Sequence, residues 1–200
     1  MNKGTKYIKI GVALAAFLLC GTIVYAGFTQ QLDIQGKAAV NKSSWLIRFT
    51  NLQPVVKTGT ATEKTAPSIN TNDTKISEYD VTLTTPGDSV SYTFDVVNDG
   101  TFNAEISSIT IPTPSCTGNG TTVTTDANNV CGNLTYTLKN ADGTPVAVGD
   151  TLSAGETKSL TLTLSYSASV AAAALPKDDV SISNLAISII YAQSANSSQN

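Results

Sequence analysis

The sequence contains no histidine, and this absence excludes several kinds of chemistry. Histidine is the usual general base near neutral pH and the usual group that activates a serine or cysteine nucleophile. The histidine-containing zinc motifs, the Walker phosphate loop and the G-x-S-x-G nucleophile elbow are all missing. We therefore predict that the protein is not an enzyme and has no catalytic residue, no metal site and no cofactor. The one catalytic arrangement that the sequence does not exclude is a pair of acidic side chains brought together by the fold.

Charge is also scarce, because only 14% of the residues are charged. If residues 1–26 are removed, Lys3, Lys6 and Lys9 leave with no acid. The 12 basic and 15 acidic residues then become 9 and 15, a net charge of −6. A phosphate backbone or an anionic membrane surface demands a basic face. The charge balance therefore argues against nucleic acid and anionic lipid as partners, and it favours solubility at high concentration.

One apolar run stands out, and it lies at the N-terminus. Three lysines precede an uncharged stretch from Ile10 to Ala26, and the compact residues Val24 and Ala26 end it. This order predicts a secretory signal peptide over residues 1–26, cut between Ala26 and Gly27. The alternative is an uncleaved membrane anchor over residues 8–26. Cys20 lacks the small preceding residue of a lipoprotein signal, and a type IV prepilin is cut before its apolar helix.

Cysteine is rare, and one of the three, Cys20, leaves with the signal. The remaining pair, Cys116 and Cys131, is most simply a disulfide in an exported chain. The alternative is a zinc site, but two thiolates without histidine supply too few ligands. The sequence therefore predicts a Cys116–Cys131 disulfide.

Helical periodicity is missing after residue 26, and an apolar period of two takes its place. The cleanest strand is predicted at Val90 to Val96. Turns are predicted at residues 86–88, 98–100, 142–143 and 154–156, and those at 98–100 and 142–143 are expected to be hairpin turns. Residues 52–75 are expected to form a long loop or lid, with or without a short edge strand, and residues 116–131 an extended loop. About eight strands predict an all-β fold over residues 27–193, a two-sheet antiparallel β-sandwich of jelly-roll or Ig-like type, followed by a flexible tail over residues 194–200. The predicted core aromatics are Trp45, Tyr92, Phe94, Phe102 and Tyr166.

The acidic residues are scattered singly. Asp88 and Asp99 fall in predicted turns, where side-chain caps explain them. Asp178 and Asp179 are open to two interpretations, a weak calcium site or solvated loop acids.

Several segments together resemble a known group of exported proteins. These are the signal end at Tyr25 and Ala26, the mature start at Gly27 and Phe28, the stretch LDIQG at residues 32–36, and PGDSVSYTFDVVNDG at residues 86–100. They are similar to substrates of the Gram-positive signal peptidase SipW, the TasA and camelysin group of biofilm-matrix and cell-surface proteins. The sequence departs from TasA in being shorter, in its expected disulfide and in lacking long helical insertions. Camelysin has been regarded as a metallopeptidase, but no zinc motif here carries that activity over.

The resemblance implies a jelly-roll-like sandwich that polymerises when the mature N-terminus of one subunit completes a neighbour's sheet. Phe28, Leu32 and Ile34 are spaced as in a strand directly after the expected cut, which suits them to be this donor strand. The same segment can instead be the first strand of a closed monomer. Three functions follow: an extracellular or cell-surface structural protein that binds itself or other surface proteins, a monomeric membrane-anchored binding module, and a camelysin-like secreted hydrolase.

Overall fold

The computed structural model describes residues 42–194. The expected signal peptide, its cut site at Ala26 and Gly27, the donor-strand residues Phe28, Leu32 and Ile34, and nearly all of the expected tail lie outside the described residues. The prediction of an all-β fold is confirmed, because the described part is built mainly of antiparallel strands.

Twelve strands, one α-helix and a short 3₁₀ turn make up the described part of the chain. In order they are β1 (Ile47–Thr50), β2 (Val56–Thr58), β3 (Thr62–Thr65), β4 (Asp80–Thr82), β5 (Ser89–Asn98), β6 (Ala104–Thr110), β7 (Ser115–Gly118), α1 (Val123–Gly132), β8 (Leu134–Asn140), β9 (Thr151–Leu152), β10 (Thr157–Tyr166), the 3₁₀ turn Ala172–Ala174, β11 (Val180–Ser183) and β12 (Ser188–Gln193).

The strands form four antiparallel sheets. The largest has the order β1-β5-β10-β8, and β2 pairs with the other half of β5. A three-stranded sheet has the order β12-β6-β9, and the pairs β3-β4 and β7-β11 complete the set. Apolar side chains of the two larger sheets meet in one core, which includes Phe94, Leu138 and Leu160 from the first and Ile106 and Leu152 from the second.

Strand β5 shows why the sequence folds in this way. Its even-numbered residues from Val90 to Asn98 are buried, and the odd-numbered ones are half-buried on the opposite face. Strand β10 has the same alternation, and the register places Leu160 opposite Phe94 and Leu164 opposite Val90. A period of two therefore puts the large apolar side chains of this pair on the core face, except for Val97, which lies on the outer face.

Two of the predicted loops contain regular structure. Residues 52–75 include β2, which agrees with the short edge strand that the prediction allowed, and β3, a second strand that it did not include. Residues 116–131 were expected to be an extended loop, but they form the end of β7 and most of α1. The residues Thr, Asp and Asn in this stretch are weak helix formers. Packing against β7 and the disulfide outweigh that local preference.

The predicted hairpin turn at residues 98–100 was also wrong, because β5 and β6 lie in different sheets. Asn98 is fully buried where the chain crosses between them. Its Nδ2 donates to the carbonyls of Phe102 (2.9 Å) and Leu152 (3.0 Å), and its Oδ1 accepts from the Gly100 amide (3.0 Å). Asn98 was interpreted as a turn residue, but its side chain joins the two sheets.

Asp88 is a buried carboxylate held entirely by uncharged donors. It accepts hydrogen bonds from the amides of Thr60 (2.7 Å), Thr84 (2.6 Å) and Thr85 (2.9 Å) and from the hydroxyls of Thr60 (2.8 Å) and Thr85 (3.0 Å). Gly59 has a φ of 70°, and a Cβ there would collide with the Asp88 carboxylate. Burial by itself would raise the pKa of Asp88, but the donated hydrogen bonds outweigh it and hold the pKa well below its usual range.

The prediction that five aromatic residues lie in the core was right for some of them and wrong for Trp45. Tyr92, Phe94 and Tyr166 are buried, and Phe102 is half-buried. Trp45 is 45% exposed, so its placement in the core was wrong. It precedes β1, where no opposing strand covers it among the described residues.

Replacing Phe94 should therefore affect stability much more than replacing Trp45. We expect Phe94→Ala to lower the free energy of unfolding by about 3–5 kcal/mol, because it leaves a cavity in the core. Trp45→Ala should cost about 1 kcal/mol or less. Urea unfolding of the two variants measures both values, and equal losses would contradict the burial difference.

Asp88→Asn should destabilise the protein by about 3 kcal/mol at pH 7, because an amide cannot accept all of the hydrogen bonds that the carboxylate receives. The folded pKa is lowered, so this stabilisation is present above the unfolded pKa of about 3.9 and is lost as the pH falls below it. The stability gap between wild type and Asp88→Asn should therefore shrink in acid. Urea unfolding from pH 7 down to pH 2.5 measures it. The control Asp179→Asn, at an exposed position, should differ from wild type by less than about 0.5 kcal/mol.

Candidate functional site

A slot opens between the two larger sheets on the side where both sheets end in edge strands. Strand β1 is the last strand of the five-stranded sheet, and β12 is the last strand of the three-stranded sheet. Two adjoining cavities of about 660 and 460 Å³ make up the slot, and Phe49, Thr74 and Ile189 line both of them. We refer to these joined cavities as the edge slot.

The floor of the edge slot is apolar and largely aromatic. It is formed by core-facing side chains of the five-stranded sheet: Phe49, Tyr92, Phe94, Tyr136, Leu138 and Leu162. The rings of Phe49 and Phe94 meet edge to face with their centroids 5.5 Å apart. The strand alternation that builds the core also supplies this floor, because the second layer does not cover all of the inner face.

One wall consists of residues 73–79, which lead into β4. Asn70 shapes the turn before it, because its Oδ1 accepts from the amides of Thr74 (2.9 Å) and Lys75 (3.0 Å). The amide of Phe49 donates to the carbonyl of Asp73 (2.6 Å), which joins this wall to β1. Arg48 adds ion pairs with Asp99 and with Asp73 (3.6 Å) at the same end.

The opposite wall consists of residues 182–191, which run from β11 into β12. Asn184 has a φ of 61° and ends β11 with a bend. The Tyr136 hydroxyl donates to the carbonyl of Leu185 and holds the wall against the floor. Ile187 and Ile189 then pack on the core.

The hydroxyl groups along the edge slot stay protonated over the physiological pH range. The ordinary tyrosine pKa of about 10 already keeps these groups neutral, and burial raises the pKa of Tyr79, Tyr92 and Tyr136 further. Burial, assisted by Asp150 and Glu156, raises the pKa of Tyr191 to about 12. Tyr92 donates to Glu63 (2.8 Å), and Tyr79 lies 3.4 Å from the Tyr136 hydroxyl. The slot therefore offers apolar contact and tyrosine hydroxyls that are neutral near pH 7, while Lys75, Glu78 and the Arg48–Asp73 pair bring charge to its lining.

The Trp45 end of the edge slot is exposed and apolar. Trp45, Leu46 and Ile190 are 45%, 47% and 54% exposed, and all three line the smaller cavity. Within residues 42–194, no strand pairs with the outer edge of β12. An exposed apolar surface beside an unpaired edge strand is suited to receive another strand.

The predicted disulfide between Cys116 and Cys131 is confirmed, with a Cα–Cα distance of 5.8 Å. It joins β7 to α1. Strand β7 pairs with β11, and Ile182, which faces Cys116 in this pairing, lines the edge slot. The disulfide holds β7, and β7 in turn pairs with β11, the strand that leads into one wall of the slot.

The loop acids take part in local hydrogen bonds. The Asp178 carboxylate accepts from the Thr121 amide (3.1 Å), and the Asp179 carbonyl accepts from the Asn119 amide (2.9 Å). No group of three or more potential metal ligands occurs within residues 42–194. In the same range, none of the helices has the length and apolar character needed to span a membrane.

The sequence reading missed the edge slot, although one signal was available. Ile182 is at an even position, while Ile187, Ile189 and Tyr191 are at odd positions. This change of phase indicates a break between residues 182 and 187, where β11 ends before β12 begins. The sequence contains no such signal for the floor of the slot, because the floor depends on which strands become neighbours in the sheet.

Loss of the disulfide should weaken the domain. Its closed loop spans 15 residues, so we expect the variant with Cys116→Ser and Cys131→Ser to lose about 3 kcal/mol of unfolding free energy. Urea unfolding checks the loss, and peptide mapping without reductant should show the two wild-type peptides joined. Free thiols in protein from the culture medium would contradict the prediction.

The chain was compared with protein-family models, with curated proteins and with solved structures, and nothing in any of the three matches it. The resemblance to the TasA and camelysin group stays a prediction.

Proposed function

We propose that this protein is an exported structural protein of the cell surface or extracellular matrix that polymerises by strand addition. Residues 27–35 of one copy, carrying Phe28, Leu32 and Ile34, enter the edge slot of the next copy. In this proposal the chain is cut between Ala26 and Gly27, and the two larger sheets belong to a jelly-roll-like sandwich whose second layer is completed by the added strand.

The observation that carries the proposal is the edge slot itself. Its apolar floor lies between two edge strands, β1 and β12, that have no further strand beside them among the described residues. Proteins usually cover or charge such edges, since they invite pairing with other chains. A strand that enters this slot gains main-chain hydrogen bonds from an edge and apolar contacts from the floor.

The proposed donor segment matches this surface in its chemistry. Phe28, Leu32 and Ile34 are at even positions, so an extended chain directs all three side chains to one face. The other face carries Asp33 and Gln35, which are suited to solvent. The Cys116–Cys131 disulfide also fits an exported protein, because such bonds persist in oxidising surroundings.

A second candidate function has one specific observation in its favour. The larger cavity has a volume of about 660 Å³, and this volume lies within the range of small-molecule pockets. Its lining combines apolar side chains with tyrosine hydroxyls. A monomeric surface module, anchored by residues 8–26, would use this cavity for a ligand. This candidate predicts that the protein stays monomeric at high concentration.

The single tryptophan gives a direct test of strand addition, because Trp45 lines the edge slot. The mature chain that starts at Gly27 is compared with a variant that lacks residues 27–35. The first should form fibres in electron micrographs. The second should stay soluble and β-rich by circular dichroism, without fibres. A synthetic peptide of residues 27–35 should shift the Trp45 emission of the deletion variant to shorter wavelength.

A peptide with Leu32→Asp and Ile34→Asp is the matched control and should leave the emission unchanged. If the deletion unfolds the domain while the wild-type protein stays monomeric, residues 27–35 are simply the first strand of a closed monomer and the proposal is wrong.

A further inference from the structure

We infer that the outer face of the five-stranded sheet associates with the same face of a second copy, and that this contact joins polymers side by side. The inference rests on the proposed strand addition, which would display this face at every repeat. The face is formed by the outward residues of β5, β10 and β8, with β1 and β2 at its margin. We refer to it as the hydroxyl face.

The register of the strands brings serine and threonine side chains into rows. Ser91 lies opposite Thr163, which lies opposite Thr137 on the next strand. In the neighbouring rows, Ser89 stands beside Ser165, and Thr93 stands beside Thr161. The outcome is a broad surface of hydroxyl and methyl groups.

Charge is nearly absent from the centre of this face. Asp95 is the acid among its β5 residues, and its carboxylate accepts a hydrogen bond from Asn51 (2.8 Å). Lys139 is at the β8 margin, and Arg48 at the β1 margin is paired with Asp99. The mature chain carries a net charge of −6, so two copies repel each other over most orientations. The hydroxyl face is the broad surface on which they approach with little repulsion.

Burying this face costs less than burying free hydroxyl groups. Ser91 and Thr163 are hydrogen-bonded to each other (2.9 Å), as are Thr93 and Thr161 (3.1 Å). The oxygen atoms in such pairs keep a hydrogen-bond partner when an interface excludes water, so they are not left unsatisfied. Threonine is also β-branched and stiff at χ1, so little side-chain freedom is lost on contact.

The size of the face indicates a weak contact that becomes effective through repetition. Four strands spaced about 4.8 Å apart, with β10 about 30 Å long, give an area on the order of 500–600 Å² per copy. Two such faces bury roughly 1,100 Å², at the low end of specific interfaces. A single pair would be transient, whereas many faces along a polymer act together. A face that meets itself also satisfies twofold symmetry.

A neutral polysaccharide is another occupant with suitable chemistry, because hydroxyl groups bind hydroxyl groups. The rows described above contain no aromatic ring on which a sugar could stack, so the observations favour a second copy. The experiment distinguishes the two.

The test introduces negative charge into the face of the mature chain with Thr161→Glu and Ser165→Glu. These residues lie on the central strand β10 and are four apart, so the new charges do not face each other directly. The matched control has Thr62→Glu and Thr117→Glu, at exposed positions in other sheets. Electron microscopy measures fibre width, and sedimentation velocity measures self-association of the soluble fraction. Pelleting with an insoluble neutral glucan measures sugar binding.

Wild type and control should form laterally bundled fibres, and the face variant should form single fibres. Self-association of soluble protein should be at least about tenfold weaker in the face variant. Bundles that persist in the face variant, or wild-type fibres that never bundle, overturn the inference and leave strand addition intact. If no fibres form, strand addition fails, and the sedimentation result alone decides the inference. A wild-type protein that binds the glucan through this face without self-associating also overturns it.

Discussion

The pairing of β5 with three other strands is the interaction on which the rest of the structure depends. Along its length β5 bonds to β10 on one side and to β1 and β2 on the other. Its inward side chains form part of the core, and its last residue, Asn98, bonds across to the second sheet. At its other end it follows Asp88, whose carboxylate holds the loop at Thr60. Disturbing this strand would therefore disturb both layers at once.

The same strand produces the two surfaces to which we assign functions. The inward residues of β5 and its neighbours form the floor of the edge slot, and the outward residues form the hydroxyl face. One alternating pattern thus separates an apolar surface, which we propose receives a strand, from a surface of little charge, which we propose makes lateral contacts. If both assignments hold, one domain would supply the axial and the lateral contacts of an extracellular polymer.

Negative charge has a place in this arrangement as well. An acidic chain is soluble at high concentration and resists indiscriminate association. If both proposals hold, contacts between copies would be confined to the apolar floor of the edge slot and to the hydroxyl face, where charge is low. The buried carboxylates support the fold rather than these surfaces: Asp88 ties loops together, and Asp126 joins α1 to the amides of Lys177 and Asp178.

The all-β class, the longest strands and the disulfide pairing could be predicted from the pattern of residues alone. A period of two is local, since each side chain follows from its position along one strand, and the two cysteines that follow residue 26 leave few alternatives. Four features could not be predicted in this way and are visible in the folded domain: Asn98 joins two sheets, Trp45 is exposed, residues 123–132 form a helix and an edge slot exists. These features depend on which distant segments become neighbours. That choice reflects complementary packing over the whole domain, which no local pattern of residues records.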